Sequence, residues 1–522
     1  MEDFLRQENE KIASIFREWM QASWMVNTTG EKEWQEKEAR AEAEYRHYCS
    51  NPERFKQIQH GLQTAEPNSL EHRQYQRLYQ DALANQLPKD MLEKMVQLSS
   101  ELSNIFNTFR GEMDGRKISE NEIRDILVNS VDQKKRKKAW EASKQIAQKV
   151  TPGLLQLIQL RNEAARKLGY EDHHQMAFEL NELDRDEIYG IFQRLKELTD
   201  EPFRKIKSEI DQELAERYGI KVSELRPWHY LDPFFQEAPP IPGTDISAYF
   251  QNKNIEQLTA DTFRALGMDI TDLLANSDLY ERERKNQHAF CIDMDREGDV
   301  RVLCNIRNNQ YWMETMLHEF GHAVYDKYND PSLPFILRTH AHIFTTEAVA
   351  MFFGRMVKNR EWLHTFLGLD DQTLDRIMPN VEKMLQRQML ITARWVITFV
   401  FFERELYRNP DQDLNRLWWK FVSEIQYVHP PEKTDYPHWA AKIHFTIAPV
   451  YYQNYLLGEL TASQFDQYIR NHISPSIFNQ EVGKFFIEKV FKPGDRYGWE
   501  GMIERATGEP LNPEHFVKQF VK

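Results

Sequence analysis

Apolar residues recur along this chain at the three- to four-residue spacing of helices and seldom alternate as strands do. The spacing is clear between Tyr311 and Tyr325, which predicts one helix there. Residues 1–48, 70–147 and 180–218 are rich in Glu, Lys, Gln, Ala and Leu and contain few glycines, so they also read as helices. We therefore predict a mainly α fold.

One hairpin is predicted just before the helix at 311–325. A strand at Cys291–Asp295, a turn containing Gly298 and a strand at Val300–Cys304 follow one another closely. Cys291 and Cys304 could face each other across such a hairpin. The sequence leaves open whether they are bonded.

The chain of 522 residues is long enough for two lobes with a substantial core. Prolines punctuate residues 226–244, which predicts a connecting segment. We expect a single unit of two lobes, with an N-terminal helical part over about residues 1–225 and a second part over residues 226–522.

Charge and hydropathy exclude several classes of partner. A net charge of −14 argues against nucleic acid, and the basic run Lys134–Lys138 continues into an amphipathic helix, so it reads as a solvated face. The most apolar stretch, Met389–Phe402, is interrupted by Arg394, so no membrane span is expected. The N-terminus lacks a signal-peptide pattern, and three cysteines fit a reducing compartment, which predicts a cytoplasmic protein.

The helix at 311–325 contains His318-Glu319-Phe320-Gly321-His322, an H-E-x-x-H motif. Its two imidazoles lie one turn apart on one face and can bind one Zn²⁺ per chain, while Glu319 can reach a zinc-bound water and activate it for attack on an amide. Gly321 is a poor helix-interior residue, so another element is expected to approach closely there. The motif predicts a zinc metallopeptidase.

A catalytic zinc usually takes a third protein ligand, and Glu347 is the best candidate. It opens an otherwise apolar helical run, where an unpaired carboxylate would be costly unless it bound a cation. Four other side chains remain as alternatives for this role, namely Asp326, Asp330, His340 and His342.

The order of these features resembles angiotensin-converting-enzyme-like dipeptidyl carboxypeptidases. Ala22–Thr28, Ala139–Lys144, Leu160–Tyr170 and Ala441–Phe445 are similar to segments of that family. The resemblance covers most of the chain. It implies an elongated, all-helical metallopeptidase whose two interleaved lobes border a deep central channel, with a small hairpin beside the zinc.

The resemblance also implies roles for C-terminal side chains. Lys442 and Tyr452 would hold the substrate's terminal carboxylate, while His444 and Tyr455 would stabilise the oxyanion of the transition state. The match to Tyr452 and Tyr455 requires one inserted residue, and Tyr451 takes the role of one of them if that insertion lies elsewhere. For all three tyrosines, the alternative to a substrate or catalytic role is packing on one face of a helix.

His288 and Ala289, just before the hairpin, would bind substrate backbone by strand pairing in the family resembled. A structural or surface role is the alternative for His288.

Two departures from the family pattern matter. Val422 and Asn454 occupy positions where animal members carry chloride-binding arginines, so no activating chloride is expected. Met351 stands where the family has a carboxylate one turn after Glu347, so the partners of the metal ligands must differ.

Short unfolded peptides are the expected substrates, with release of C-terminal dipeptides. A second resemblance, to thimet-type oligoendopeptidases over residues 285–290 and 444–455, leaves internal cleavage as the alternative. An inactive peptide-binding scaffold is a third possibility, against which the retention of Glu319 argues. Side-chain preference and oligomeric state are not indicated.

Overall fold

The computed structural model describes residues 2–521 and confirms a mainly helical fold. The helices of the described chain are α1 (Glu2–Thr29), α2 (Lys32–Cys49), α3 (Pro52–Thr64), α4 (Leu70–Leu83), α5 (Lys89–Thr108), α6 (Glu120–Asn129), α7 (Gln133–Lys144), α8 (Ile146–Lys167), α9 (His173–Leu180), α10 (Arg185–Tyr218), α11 (Ile255–Ala265), α12 (Thr271–Asn276), α13 (Gln310–Lys327), α14 (Ile343–Gly354), α15 (Arg360–Thr365), α16 (Asp371–Arg408), α17 (Leu414–Phe421), α18 (His444–Ile447), α19 (Gln453–His472), α20 (Gln480–Phe485), α21 (Gly498–Thr507) and α22 (Glu514–Phe520).

The described residues also form two antiparallel hairpins, β1–β2 and β3–β4. Their strands are β1 (Gly111–Met113), β2 (Arg116–Ile118), β3 (Phe290–Asp293) and β4 (Val300–Leu303).

The predicted hairpin beside α13 is confirmed as β3–β4. Cys291 pairs with Val302 in its register, so Cys304 lies beyond the strand rather than opposite Cys291. Both cysteines are free thiols.

The other hairpin, β1–β2, corrects the prediction that residues 70–147 are helical throughout. Its turn is Asp114-Gly115, and both residues have positive φ, +53° and +76°. An Asp-Gly pair with two left-handed residues is the turn that matches the twist of a tight hairpin. This dipeptide was the available sequence signal.

The chain forms two compact units, neither of which is one continuous segment, and one of its several passages between them is at Ile241–Pro242, inside the proline-rich segment 226–244. The predicted division into residues 1–225 and 226–522 stays a prediction. The first unit holds the described chain up to Gln86, Pro242–Glu382 and Leu457–Gln519; the second holds Leu87–Ile241, Lys383–Leu456 and the residues that follow Gln519.

In the first unit, α13 and α14 pack together through a glycine on each helix. A Cβ atom added at Gly321 would lie 2.9 Å from Ala350 Cα, and one added at Gly354 would lie 3.3 Å from His318 Cβ. The close approach predicted at Gly321 is therefore confirmed. A larger side chain at either position would push the helices apart.

In the second unit, an aromatic core surrounds the short helix α18. Phe399 stacks on Phe445 at 4.2 Å between ring centroids, and Trp439 packs edge-on against Phe445 at 5.6 Å. The buried Arg161 guanidinium donates to the backbone carbonyls of Phe445 and Thr446 at 3.0 and 2.7 Å. These contacts fix the backbone next to His444.

The basic run at the start of α7 is solvated only in part. Lys134, Lys135 and Lys138 are exposed, as predicted, but Arg136 is fully buried. Its guanidinium donates to several backbone carbonyls, including that of Trp228 at 2.9 Å. It therefore acts as an internal hydrogen-bond donor.

None of the helices within residues 2–521 combines the length and the apolar character that a membrane span requires.

We predict that Gly321→Ala lowers the free energy of unfolding by about 1–3 kcal/mol, because the new methyl group overpacks the α13–α14 contact. Urea denaturation measures this change. Gly190→Ala is the matched control: Gly190 is exposed within α10 with open space around its Cα, so this substitution should raise stability by about 0.5–1 kcal/mol. Equal stability of Gly321→Ala and wild type would contradict the packing argument.

Candidate active site

The α13–α14 contact brings together three side chains able to bind a metal. His318 Nε2 lies 3.7 Å from Glu347 Oε2, and His322 Nε2 lies 3.8 Å from Glu347 Oε1. One ligand atom from each residue falls within 4.8 Å of the other two. The structure thus places Glu347, and none of its four competitors, in this group.

The group fits zinc in its spacing and in its chemistry. Tetrahedral zinc with ligand bonds of ~2.0–2.1 Å implies donor separations of about 3.4 Å, close to those observed. Two imidazoles and one carboxylate form a catalytic donor set that leaves a fourth position open.

Burial sets the protonation of these ligands. It lowers the pKa of His318 to about 4 and holds the pKa of His322 well below its ordinary value, so both imidazoles are neutral, the form that binds metals. Burial also raises the pKa of Glu347 to about 7, which a bound cation would reverse.

The orientation of His322 is fixed by a residue that the sequence reasoning missed. Thr346 Oγ1 lies 2.7 Å from His322 Nδ1, which favours the tautomer that carries its proton on Nδ1 and leaves Nε2 for a metal. Thr346 directly precedes Glu347.

Glu319 faces the hairpin from α13. It is 8% exposed and accepts a hydrogen bond from the backbone of Cys291 in β3. Burial raises its pKa to about 8, the charge of Glu347 adds to the shift, and the Cys291 hydrogen bond opposes it. A titratable carboxyl therefore lies beside the ligand group, and a cation bound there would lower its pKa and leave it able to accept a proton.

The four alternative ligand candidates lie outside this group. Asp330 accepts the Ser332 N–H at 2.8 Å in a turn, and the His342 side chain accepts the Phe344 N–H at the start of α14. Asp326 Oδ1 lies 4.0 Å from His340 Nδ1.

His288 and Ala289 precede β3, and His288 is exposed. Within the described residues, β3 pairs only with β4 and is therefore an edge strand, as substrate pairing requires. Their substrate-binding role stays a prediction.

The second unit holds the other predicted side chains close to one another. The ring centroids of His444 and Tyr452 are 4.9 Å apart, and those of Tyr452 and Tyr455 are 5.1 Å apart. The ring centroids of Tyr451 and Tyr455 are 5.5 Å apart. Burial and the charge of Lys442 lower the pKa of His444 to about 4, so its imidazole is neutral.

Lys442 lies among aromatic rings and has a partner that the sequence reasoning missed. Its Nζ donates to Gln236 Oε1 at 2.9 Å and lies 5.2 and 5.7 Å from the ring centroids of Trp395 and Tyr452. Burial lowers the pKa of the ammonium group to about 8. No pattern in the proline-rich segment around Gln236 marked it in advance.

Tyr452 is buried, with its hydroxyl accepting the Trp395 Nε1–H at 2.8 Å and its ring stacked on Phe399. It therefore has a packing role, and its ring lies near Lys442.

A sequence model of the family described as angiotensin-converting enzyme matches residues 1–513 of the 522. The chain belongs to the angiotensin-converting-enzyme family. It is also 20% identical over 425 residues to "Thermostable carboxypeptidase 1" of Pyrococcus furiosus, a match that covers 73% of this chain and 75% of that protein. The resemblance seen in the sequence is confirmed. The chain is therefore a peptidase of a zinc-dependent family.

Two positions set this chain apart from animal members of the angiotensin-converting-enzyme family. Val422 and Asn454 are both buried, at 5% and 3% exposure, and neither side chain carries the positive charge of the arginines found there in animal members. Indifference to chloride stays a prediction.

The loop between His444 and Tyr455 contains a strained residue. Val450 has a φ of +53°, which is unfavourable for a β-branched side chain. Its N–H donates to the buried Glu403 Oε1 at 3.0 Å, and its carbonyl accepts the Gln453 Nε2–H at 2.8 Å. These two bonds hold the strained turn that leads into the tyrosines.

We predict that Thr346→Val lowers the affinity for zinc by about 10- to 100-fold, because His322 loses the partner that orients its ring. Competition with a chelating dye measures this affinity without reference to activity. Thr346→Ser keeps the hydroxyl and should bind zinc as wild type does. Equal affinities for the Val and Ser variants would contradict the role of the hydroxyl.

Glu403 should make stability depend on pH. Burial raises its pKa from the ordinary 4.5 to about 8, although the Val450 hydrogen bond and the charge of Arg161 oppose the shift. The folded protein therefore keeps a proton that the unfolded chain releases, and the free energy of unfolding falls as pH rises across that range.

We predict that Glu403→Gln, compared with wild type, becomes progressively more stable from pH 5 to pH 8. Urea denaturation at several pH values measures the difference. Glu93→Gln, at an exposed position on α5, is the control and should parallel wild type. A Glu403→Gln variant that also parallels wild type would show that Glu403 titrates normally.

Proposed function

We propose that this protein is a zinc-dependent peptidase that acts on short, unfolded peptides and releases dipeptides from their C-terminal end. The observation that carries the proposal is the grouping of His318, His322 and Glu347. The Glu319 carboxylate lies on α13, the helix that carries both histidines. When bound there, zinc supplies Lewis-acid activation of a peptide carbonyl and of a water molecule.

Glu319 is the proton carrier of the reaction. Its carboxylate takes a proton from the attacking water as the new C–O bond forms at the carbonyl carbon. It then delivers that proton to the amide nitrogen as the C–N bond breaks. The proton given up by the water thus leaves on the new amine, and Glu319 returns to its starting state.

Tyr455 and His444 stabilise the transition state. Negative charge develops on the carbonyl oxygen during attack, and a phenol and an imidazole that donate to this oxygen bind it more tightly than they bind the substrate. Membership of the angiotensin-converting-enzyme family supports combining these residues with the ligand group in one reaction.

Lys442, Gln236 and Tyr452 form the proposed clamp for the substrate's terminal carboxylate. The ammonium group brings the charge, its bond to Gln236 orients it, and it lies 5.7 Å from the ring centroid of Tyr452, whose hydroxyl would be the second donor. A hydrogen bond to a charged group contributes about 1.5–3 kcal/mol, which is enough to favour a free C-terminus. The edge of β3, with His288 and Ala289, would pair with the substrate backbone.

The test is mass spectrometry of the products from a ten-residue peptide and from its C-terminally amidated twin. The free peptide should lose dipeptides stepwise, and amidation should lower kcat/KM by roughly 10- to 100-fold because the clamp loses its anion. Glu319→Gln should abolish cleavage of both peptides. Lys442→Met should cleave the two peptides at similar rates.

Other outcomes would point elsewhere. Internal cuts at equal rates in both peptides would replace dipeptide release with oligoendopeptidase activity. Tight binding of zinc without cleavage of any peptide would favour a peptide-binding scaffold.

A further inference from the structure

A cavity of about 660 Å³ lies within the second unit, bordered by the hairpin β1–β2. We call it the hairpin cavity. Its walls include Phe106 and Asn107 of α5, Ile118 of β2, the start of α6 and Ser143 of α7. Neither the proposed ligand group nor the proposed oxyanion donors line it.

The hairpin cavity opens onto the proposed clamp. Lys442 and Gln236 both belong to its lining, whereas Tyr452 does not. Lys442 also lies 5.7 Å from the ring centroid of Tyr452, which in turn lies 4.9 Å from that of His444. Lys442 therefore borders both the predicted catalytic side chains and the cavity.

This position bears on which substrates the clamp can exclude. A peptidase that releases only dipeptides needs a wall behind the residue that binds the terminal carboxylate. At Lys442 there is a volume typical of a ligand site instead. The charge of Lys442 rewards a carboxylate, but no steric barrier of the hairpin cavity rejects a longer chain.

We propose that the hairpin cavity is a subsite for substrate residues beyond the clamp, so that the enzyme also releases segments of three or four residues. This inference rests on the proposed function and widens its substrate class. The hairpin cavity is also the observation that favours some cleavage of internal peptide bonds.

The lining defines what the subsite accepts. Phe106, Phe109, Ile118 and Phe234 give it apolar walls. Its charged residues balance, with Arg110, Arg124 and Lys442 against Glu120, Asp232 and Glu237, and Arg124 pairs with Glu237 at 3.0 Å. An uncharged segment with an apolar side chain therefore fits better than a strongly charged one.

The first test compares peptides that are identical before the scissile bond and carry two, three or four residues after it. In the longer peptides the third residue after that bond is Phe. The longer ones bring no carboxylate to the clamp, as in the amidated peptide, so wild type should cleave them with kcat/KM within about 100-fold of the dipeptide-releasing one. Ser143→Trp fills the cavity and should lower the four-residue to two-residue ratio of kcat/KM at least tenfold. Asn107→Trp, at an exposed lining position, is the second variant should the first not fold.

Ser100→Trp is the matched control, because Ser100 is exposed on α5 outside the cavity lining. It should leave the ratio unchanged. An unchanged ratio in both cavity variants, or a wild-type enzyme that releases dipeptides alone, would overturn the subsite and leave the proposed function standing.

The second test reads binding instead of cleavage. A peptide carrying p-benzoylphenylalanine as the third residue after the scissile bond is photo-crosslinked to Glu319→Gln, and the attachment site is mapped by mass spectrometry. Attachment within residues 106–124 supports the subsite, even if no peptide is cleaved and the proposed function fails. Attachment elsewhere, or none, overturns it.

Discussion

The contact between α13 and α14 is the constraint on which the proposed chemistry depends. Two glycines, Gly321 and Gly354, let the helix backbones approach until a Cβ at Gly321 would lie 2.9 Å from Ala350 Cα. Only at this separation can a carboxylate from one helix meet two imidazoles from the other. Glycine lowers helix stability by roughly 0.5–1 kcal/mol relative to alanine, so the packing must compensate for that loss.

Burial of the α13–α14 contact also sets the protonation of the side chains that it brings together. His318 and His322 are held neutral, while Glu347 and Glu319 have raised pKa values because water is excluded from around them. Without a cation, these two carboxyls reduce the stability of the folded chain. With a cation, both their charge and the neutral imidazoles become favourable, so metal binding and folding should stabilise each other.

Sequence reasoning was strongest where chemistry follows from spacing along one element. Three features were predicted from local spacing in this way: the i, i+4 histidines, the apolar helix that carries Glu347 and the hairpin before α13. The structure contains these elements as predicted. Partners from distant segments left no local pattern. Gln236 lies more than 200 residues before Lys442, and the burial of Arg136 depends on carbonyls of the 226–244 segment. The hairpin β1–β2 differs from these, because its Asp-Gly turn was legible but lay inside a stretch whose composition favoured helix.

The second unit supports its side chains by a different physical means. The first unit uses close backbone packing, whereas here buried polar groups hold the loop after His444: Arg161 binds its carbonyls, and Glu403 binds the N–H of the strained Val450. A strained β-branched residue persists only where its surroundings determine it, at a cost of order 1–3 kcal/mol. That cost falls in the turn that presents Tyr452 and Tyr455. A loop held by a few directional hydrogen bonds can be repositioned while the core stays packed, whereas any separation of the helix pair also separates the three ligand side chains. Differences in substrate preference among related chains should therefore arise more readily in the loop than in the ligand group.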